Sequence, residues 1–173
     1  EIHVVCLFPA LSAAQAFEQE VVRHRPDIAN RPDIFGEQQR LNARDELVGT
    51  EPVLLLTATG LSLEHVLPLA RTHGGTAFPA HIDRDSYSVP AALGDIPPGF
   101  PAVEITAEGD VAAMRAAYPA IEGLPLLCSS DAHYLHQLTD AAAWLELPDA
   151  APATVIAALD GRLPCRWGRT KEE

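Results

Sequence analysis

Long apolar runs are missing from this chain. The longest, around Val53 to Thr57, falls far short of the roughly 20 residues that a membrane-spanning helix requires, so no membrane association is expected. Positive charge is scarce too: 12 Lys and Arg face 24 Asp and Glu, a formal net charge of −12. Phosphate backbones are neutralised by clustered cations, so nucleic acid is unlikely as a partner on this reading. The small basic group Arg162, Arg166, Arg169 and Lys171 reads as a solvated tail. An acidic chain can still take an anionic substrate where metal cations sit at the site. Cysteine is equally thin. Cys6, Cys128 and Cys165 are odd in number, widely spaced and without C-x-x-C, which suits buried thiols in a reducing, cytoplasmic setting and not a disulfide framework. No basic segment leads into an apolar stretch at the start, so no signal peptide is read. Residue 1 is Glu, not Met, and the expectation is a fragment or a processed piece.

Several catalytic signatures are also absent. There is no G-x-S-x-G, no G-x-x-x-x-G-K-[ST], no G-x-G-x-x-G and no H-E-x-x-H. Serine-hydrolase elbows, nucleotide cradles and zincin helices therefore have no support.

What is present is a chain of 173 residues, 47% of them hydrophobic, long enough for one domain with a sizeable core. The opening IHVVCLF is a nearly continuous apolar run, the pattern of a strand buried on both faces. Ser12 can cap a helix carrying Phe17, Val21 and Val22. Residues 26–52 are the least regular, with a possible polar hairpin insertion around 36–50. A helix over 62–73 follows from Leu63, Val66, Leu67 and Ala70 on one face, stopped by Gly74 and Gly75. Strands are then expected at 76–80, 101–106, 124–130 and 143–147, with helices over 110–117 and 153–159. Strands alternating with helices imply βαβ units and a parallel sheet or barrel.

In such folds chemistry collects at the carboxyl ends of the strands. His81 follows TAFPA, Glu104 lies late in PAVEIT, and Asp131 and His133 follow LLCSS. His3 differs, because it opens its strand. Imidazoles with a carboxylate suit zinc, manganese or iron. Plainer readings stand beside this one. His3 could be a structural residue, Asp83 and Asp85 could form turn hydrogen bonds, and Asp131 could cap a helix that leaves His133 exposed. His24, His65 and His73 read as surface residues, and His136 could share a face with His133. In extended backbone Asp131 and His133 would point the same way.

The order IHVVCLF, AFPAHIDR, AVEIT, LLCSSDAHYL resembles the PHP family, named for polymerase and histidinol phosphatase domains, over residues 1 to about 160. The resemblance implies a distorted (β/α)7 TIM-like barrel, present here as an incomplete barrel matching the family's C-terminal two-thirds. It also implies two or three divalent metal ions at the strand ends. On that basis His3, His81, Asp131 and His133 are the expected metal ligands and Asp131 a catalytic proton acceptor. Arg84 and Glu104 are expected to face substrate, Arg84 because a guanidinium fork suits phosphate. The family's H-x-H motif is absent, so an upstream segment would have to supply the missing ligands. The expected function is a metal-dependent phosphoesterase acting on a small phosphorylated substrate. The alternative is a non-catalytic binding or regulatory module with an incomplete metal site, and a weaker third reading is an accessory domain on a DNA polymerase.

Overall fold

The structure is a computed structural model that describes residues 1–138 and 143–170. Its strands are β1 (Val4–Leu7), β2 (Gln39–Leu41), β3 (Leu47–Thr50), β4 (Thr76–Pro79), β5 (Val103–Thr106), β6 (Leu126–Ser129), β7 (Ala143–Glu146) and β8 (Arg166–Arg169). Its helices are α1 (Leu11–His24), α2 (Pro32–Phe35), α3 (Leu63–Thr72), α4 (Val89–Leu93), α5 (Val111–Ala117) and α6 (Pro152–Leu159). Among the described residues no helix is long and apolar enough to cross a membrane.

The chain divides into two compact units, Glu1–Glu18 with Leu63–Glu173, and Gln19–Ser62. The smaller unit holds the antiparallel β2–β3 hairpin, which has a register shift between Arg40 and Leu41. Asn42 closes its turn, with Oδ1 accepting from the backbone N–H groups of Arg44 and Glu46. Within that unit Leu54 is the buried apolar side chain, while Leu41, Leu47 and Val48 are exposed.

The larger unit carries the core. β5 and β6 pair in parallel, Val103 opposite Leu126 through Thr106 opposite Ser129, and every residue of β5 is buried. Alternation sends Val103 and Ile105 to a cluster with Ile82, Ile96, Ile121 and Leu126. Across the sheet, Leu127 joins a second cluster built on Phe78, Ala102 and Leu159. Full burial of a side chain such as Ile105 contributes about 1.5–3 kcal/mol, so a strand covered on both faces has little tolerance for polar substitution.

β1 and β4 pair antiparallel, Val4 opposite Pro79 through Leu7 opposite Thr76. This departs from the all-parallel arrangement that alternating strands and helices suggest. Gly75 makes the close approach possible: a Cβ there would lie 2.5 Å from the Leu7 carbonyl oxygen and 2.6 Å from the Phe8 ring. Gly74, at φ +73°, ends α3 in the left-handed conformation that glycine adopts without strain. β4 in turn lies beside β5, since the Ile82 N–H just beyond it donates to the Glu104 carbonyl at 2.8 Å. β1, β4, β5 and β6 therefore follow one another across the larger unit. β7 and β8 form a separate antiparallel pair.

The three thiols are free and half-buried. Cys6 lies in β1, where burial pushes its pKa up to about 11. In the C-terminal basic group Arg162 and Arg166 are exposed, as expected of a solvated tail, but Arg169 is not. Arg169 is half-buried and donates to the carbonyls of Gly109, at 2.6 Å, and Ala107, which tie down the loop after β5. Arg115 lies over the Trp167 ring at 5.2 Å. Lys171 lies outside the described residues.

Asp160, just past α6, joins three elements. Its Oδ1 accepts from Thr76 Oγ1 at 2.6 Å and Arg71 Nη2 at 3.2 Å, and Arg162 lies 3.5 Å from Oδ2. Burial acts to raise its pKa, but the Thr76 and Arg71 hydrogen bonds and the nearby guanidinium charges outweigh that and hold it below the usual carboxylate value. A carboxyl lowered in the folded state supplies stability above its unfolded pKa and loses it as pH falls through the folded value. Asp160→Ala is expected to lower unfolding stability by about 1–3 kcal/mol in urea titrations at neutral pH. The difference between variant and wild type should shrink below about pH 4. A constant difference down to acid pH would contradict the ion-pair account.

Candidate functional site

The carboxyl ends of β4, β5 and β6 lie side by side, and their last residues lead directly into polar side chains. The antiparallel β1 adds a fourth contribution. Because it runs the other way, its first residues reach the carboxyl end of β4, and the Ala80 N–H donates to the His3 carbonyl at 3.1 Å. A histidine that opens a strand thus arrives where the other strands close.

His3 Nδ1 and His81 Nε2 are 3.1 Å apart, so one nitrogen donates and the other accepts. The protonation follows from the hydrogen-bond network. If His3 donated, neutral His81 would carry its proton on Nδ1, which is buried without a partner. With His81 donating, His81 Nδ1 is a bare lone pair, and the proton of His3 sits on Nε2, 3.6 Å from Glu1 Oε1. A buried acceptor left unmet is more common than a buried N–H left unmet, so His81 is the donor. His81 is 5% exposed and has φ +30°.

Glu104 supports this pair from β5. Its Oε1 accepts from the His81 backbone N–H at 3.3 Å, and its Oε2 from Ser129 Oγ at 2.8 Å. The carboxylate therefore couples the ends of β4 and β6 through the strand between them. Glu104 and Ser129 also line a mostly apolar cavity of about 640 Å³, walled by β1, β4, β6, β7 and α6. Asp83 makes a similar bridge and not a local turn: its two oxygens accept from the Thr106 N–H at 2.9 Å and hydroxyl at 2.5 Å.

Asp131 lies apart from the imidazole pair. Its Oδ2 faces Arg84 Nη2 at 3.1 Å, an ion pair between the loops after β4 and β6. The backbone at Asp131 is left-handed, φ +49°, so Asp131 and His133 do not share an extended strand direction. His133 is exposed and folds back, its Nδ1 2.9 Å from the Asp131 carbonyl. Gln137 Oε1 then accepts from the His133 and Tyr134 N–H groups, and Tyr134 stacks on His136. Among the described residues no three His, Cys, Asp or Glu side chains converge to hold a metal ion. The structure brings His3 and His81 together and ties Glu104 to them. It holds Asp131 with Arg84 instead, and leaves His133 at the surface.

Three contributors were not named as site residues from the sequence. Ser129 stood out only as part of the SSDAH strand end, and Arg169 only as charge. Tyr87, at φ +58°, stacks on His3 with ring centroids 4.9 Å apart and planes 4° from parallel. Burial raises the Cys128 pKa, and the charges of Asp83 and Glu104 add to that against the opposing pull of Arg169, which disfavours the thiolate.

No protein-family model and no curated protein matches the chain. Solved structures do. The lesion-specific endonuclease PfuEndoQ from Pyrococcus furiosus matches with a TM-score of 0.61 at 19% identity, over 96% of this chain and 37% of that one. Endonuclease Q in complex with a 27-mer duplex substrate, with an abasic lesion at its active site, matches with a TM-score of 0.59 at 20% identity, over 95% and 38%. The chain thus spans under two-fifths of the length of the structures it matches, and shares a fold with that part of them. These neighbours are nucleases, and one holds duplex DNA. That overturns two expectations, the phosphoesterase of a small phosphorylated substrate and the exclusion of nucleic acid. Net charge is a bulk sum, whereas phosphate contacts are made by local groups, so an acidic total does not bar a nucleic-acid partner.

Replacing Glu104 by Ala strands the Ser129 hydroxyl and the His81 N–H. Glu104→Ala is expected to cost about 1–3 kcal/mol in urea unfolding, and Glu104→Gln, which can still accept one bond, less. Equal losses for the two variants would show that packing, and not these hydrogen bonds, is what Glu104 supplies.

Proposed function

We propose that this chain is part of a DNA-acting endonuclease, with its site at the adjoining carboxyl ends of β4, β5 and β6. The observation that carries the reading is the joint placement of the His3–His81 pair, the Glu104 bridge and the Arg84–Asp131 ion pair on a fold shared with a nuclease bound to duplex DNA. The parallel β5–β6 pair, with β4 beside it, supports an incomplete PHP-type barrel as the architecture, from which the antiparallel β1 departs, with PHP-like family membership resting on the motifs His3, PAHIDR and SSDAH.

On this reading the phosphodiester of a duplex binds at Arg84. The guanidinium exchanges its present carboxylate partner for phosphate oxygens, a geometry it suits equally well. Asp131, released, accepts the proton of the attacking water as the oxygen adds to phosphorus, and the bond to one ester oxygen breaks, that oxygen leaving on its sugar with the electron pair and taking a proton from solvent. His81, braced from the main chain by Glu104, keeps His3 in line beside it. The donors present suit a divalent cation only in part: His81 Nδ1 is the imidazole nitrogen without a partner and could ligate zinc, manganese or iron, whereas both His3 nitrogens are engaged, Nδ1 by His81 and Nε2 by its proton, so further ligands would have to come from elsewhere. Such an ion would supply a water of lowered pKa.

The test is binding and cleavage of a duplex carrying one abasic site, with an undamaged duplex and a small phosphate monoester as controls. Cleavage of the abasic duplex is expected. Arg84→Ala should weaken duplex binding and flatten the plot of log K against log salt by about 0.9, the loss of one phosphate contact. Failure to bind or cleave duplex DNA would sink the reading, and an unchanged salt slope would remove Arg84 from it.

A further inference from the structure

Tyr87 belongs to none of the strands that build the site, yet it touches the site from two directions. Its backbone carbonyl accepts from the His3 N–H at 2.8 Å. Its ring lies flat on the His3 imidazole, centroids 4.9 Å apart and planes 4° from parallel. To do both, Tyr87 adopts φ +58°, a conformation costly for a residue with a side chain. The strain is held from the next residue. Ser88 is fully buried, its hydroxyl donates to the Arg84 carbonyl at 2.6 Å, and the same oxygen accepts from the Ala91 N–H at 3.1 Å to cap α4.

Local structure offers no reason for this arrangement. A serine cap needs no left-handed residue before it, and half of the Tyr87 surface stays exposed, so burial is not the gain. What the conformation achieves is orientation. His3 is itself exposed and sits ahead of β1, where an imidazole would be free to rotate about χ1 and χ2. With the Tyr87 ring against one face, its Nδ1 is held toward His81 Nε2. His81 is likewise strained, at φ +30°. Strain at the two residues whose rings meet His3 marks a pre-set geometry.

We infer that Tyr87 is a positioning residue that fixes the His3 ring for its hydrogen bond with His81. Its effect on DNA cleavage rests on the function proposed above, whereas its effect on the imidazole pair does not. Two measurements separate these. In protein labelled with 15N-histidine, the N–H shared by His81 and His3 is expected to be protected from water exchange in wild type and in Tyr87→Phe, which keeps the ring. It should be lost in Tyr87→Ala and in His3→Ala. Should Tyr87→Ala fail to fold, Tyr87→Leu, apolar but not planar, takes its place with the same expectation. In abasic-duplex cleavage, Tyr87→Ala should lower kcat by on the order of 10²-fold, as displaced catalytic groups do, with KM nearly unchanged. The double variant with His3→Ala should be no slower than His3→Ala alone. A protected N–H that survives in Tyr87→Ala, or additive losses in the double variant, overturns the inference. A wild-type protein that shows the protected N–H but does not cleave DNA overturns the functional reading and leaves the positioning role supported.

Discussion

The antiparallel pairing of β1 with β4 is the constraint on which the site depends. It sets Val4 against Pro79 and so delivers His3, one residue earlier, to the carboxyl end of β4. A parallel β1 would leave His3 at the opposite end of the sheet, and His81 would face no second imidazole. The pairing is itself permitted by Gly75, where any side chain would strike the end of β1. Backbone geometry at a residue remote from the chemistry thus determines whether the chemistry assembles.

From that pairing the site grows outward through polar bridges between neighbouring elements. Glu104 links β4 to β6, Asp83 links the loop after β4 to β5, and Arg84 with Asp131 links the two loops above them. Each bridge joins residues more than twenty positions apart, so each is a product of the fold. Burial explains why Glu104 and Asp83 are each hydrogen-bonded through both oxygens, since an unpaired polar group inside costs more than the bond returns, whereas the Arg84–Asp131 pair is exposed. Arg169 does the same service at the far side, holding the carbonyls after β5. In a chain of net charge −12, these few cations are placed at particular carbonyls and carboxylates.

Much of the secondary structure was legible because it follows short-range rules. The run IHVVCLF became β1, the face made by Val66, Leu67 and Ala70 became the buried side of α3, and the helix expected over 110–117 became α5. Candidate residues stood out by chemical type at strand ends. Their partners did not. Whether Asp131 faces His133 or Arg84 depends on a left-handed turn at Asp131, and no pattern of residue types specifies a positive φ at an aspartate. Tyr87 was invisible for the same reason: its role comes from a strained backbone and a ring across the gap between two elements.

By itself the sequence determined where most of the strands and helices form, though not α2, α4 or β8, and which ionisable groups lie near their ends, because periodicity, caps and glycines act within a few residues. Tertiary structure alone decided strand direction, and with it the meeting of His3, Tyr87 and His81 and the pairing of Arg84 with Asp131. Those contacts join segments about 80 and 50 residues apart, and only the packing of the whole unit selects one arrangement of them.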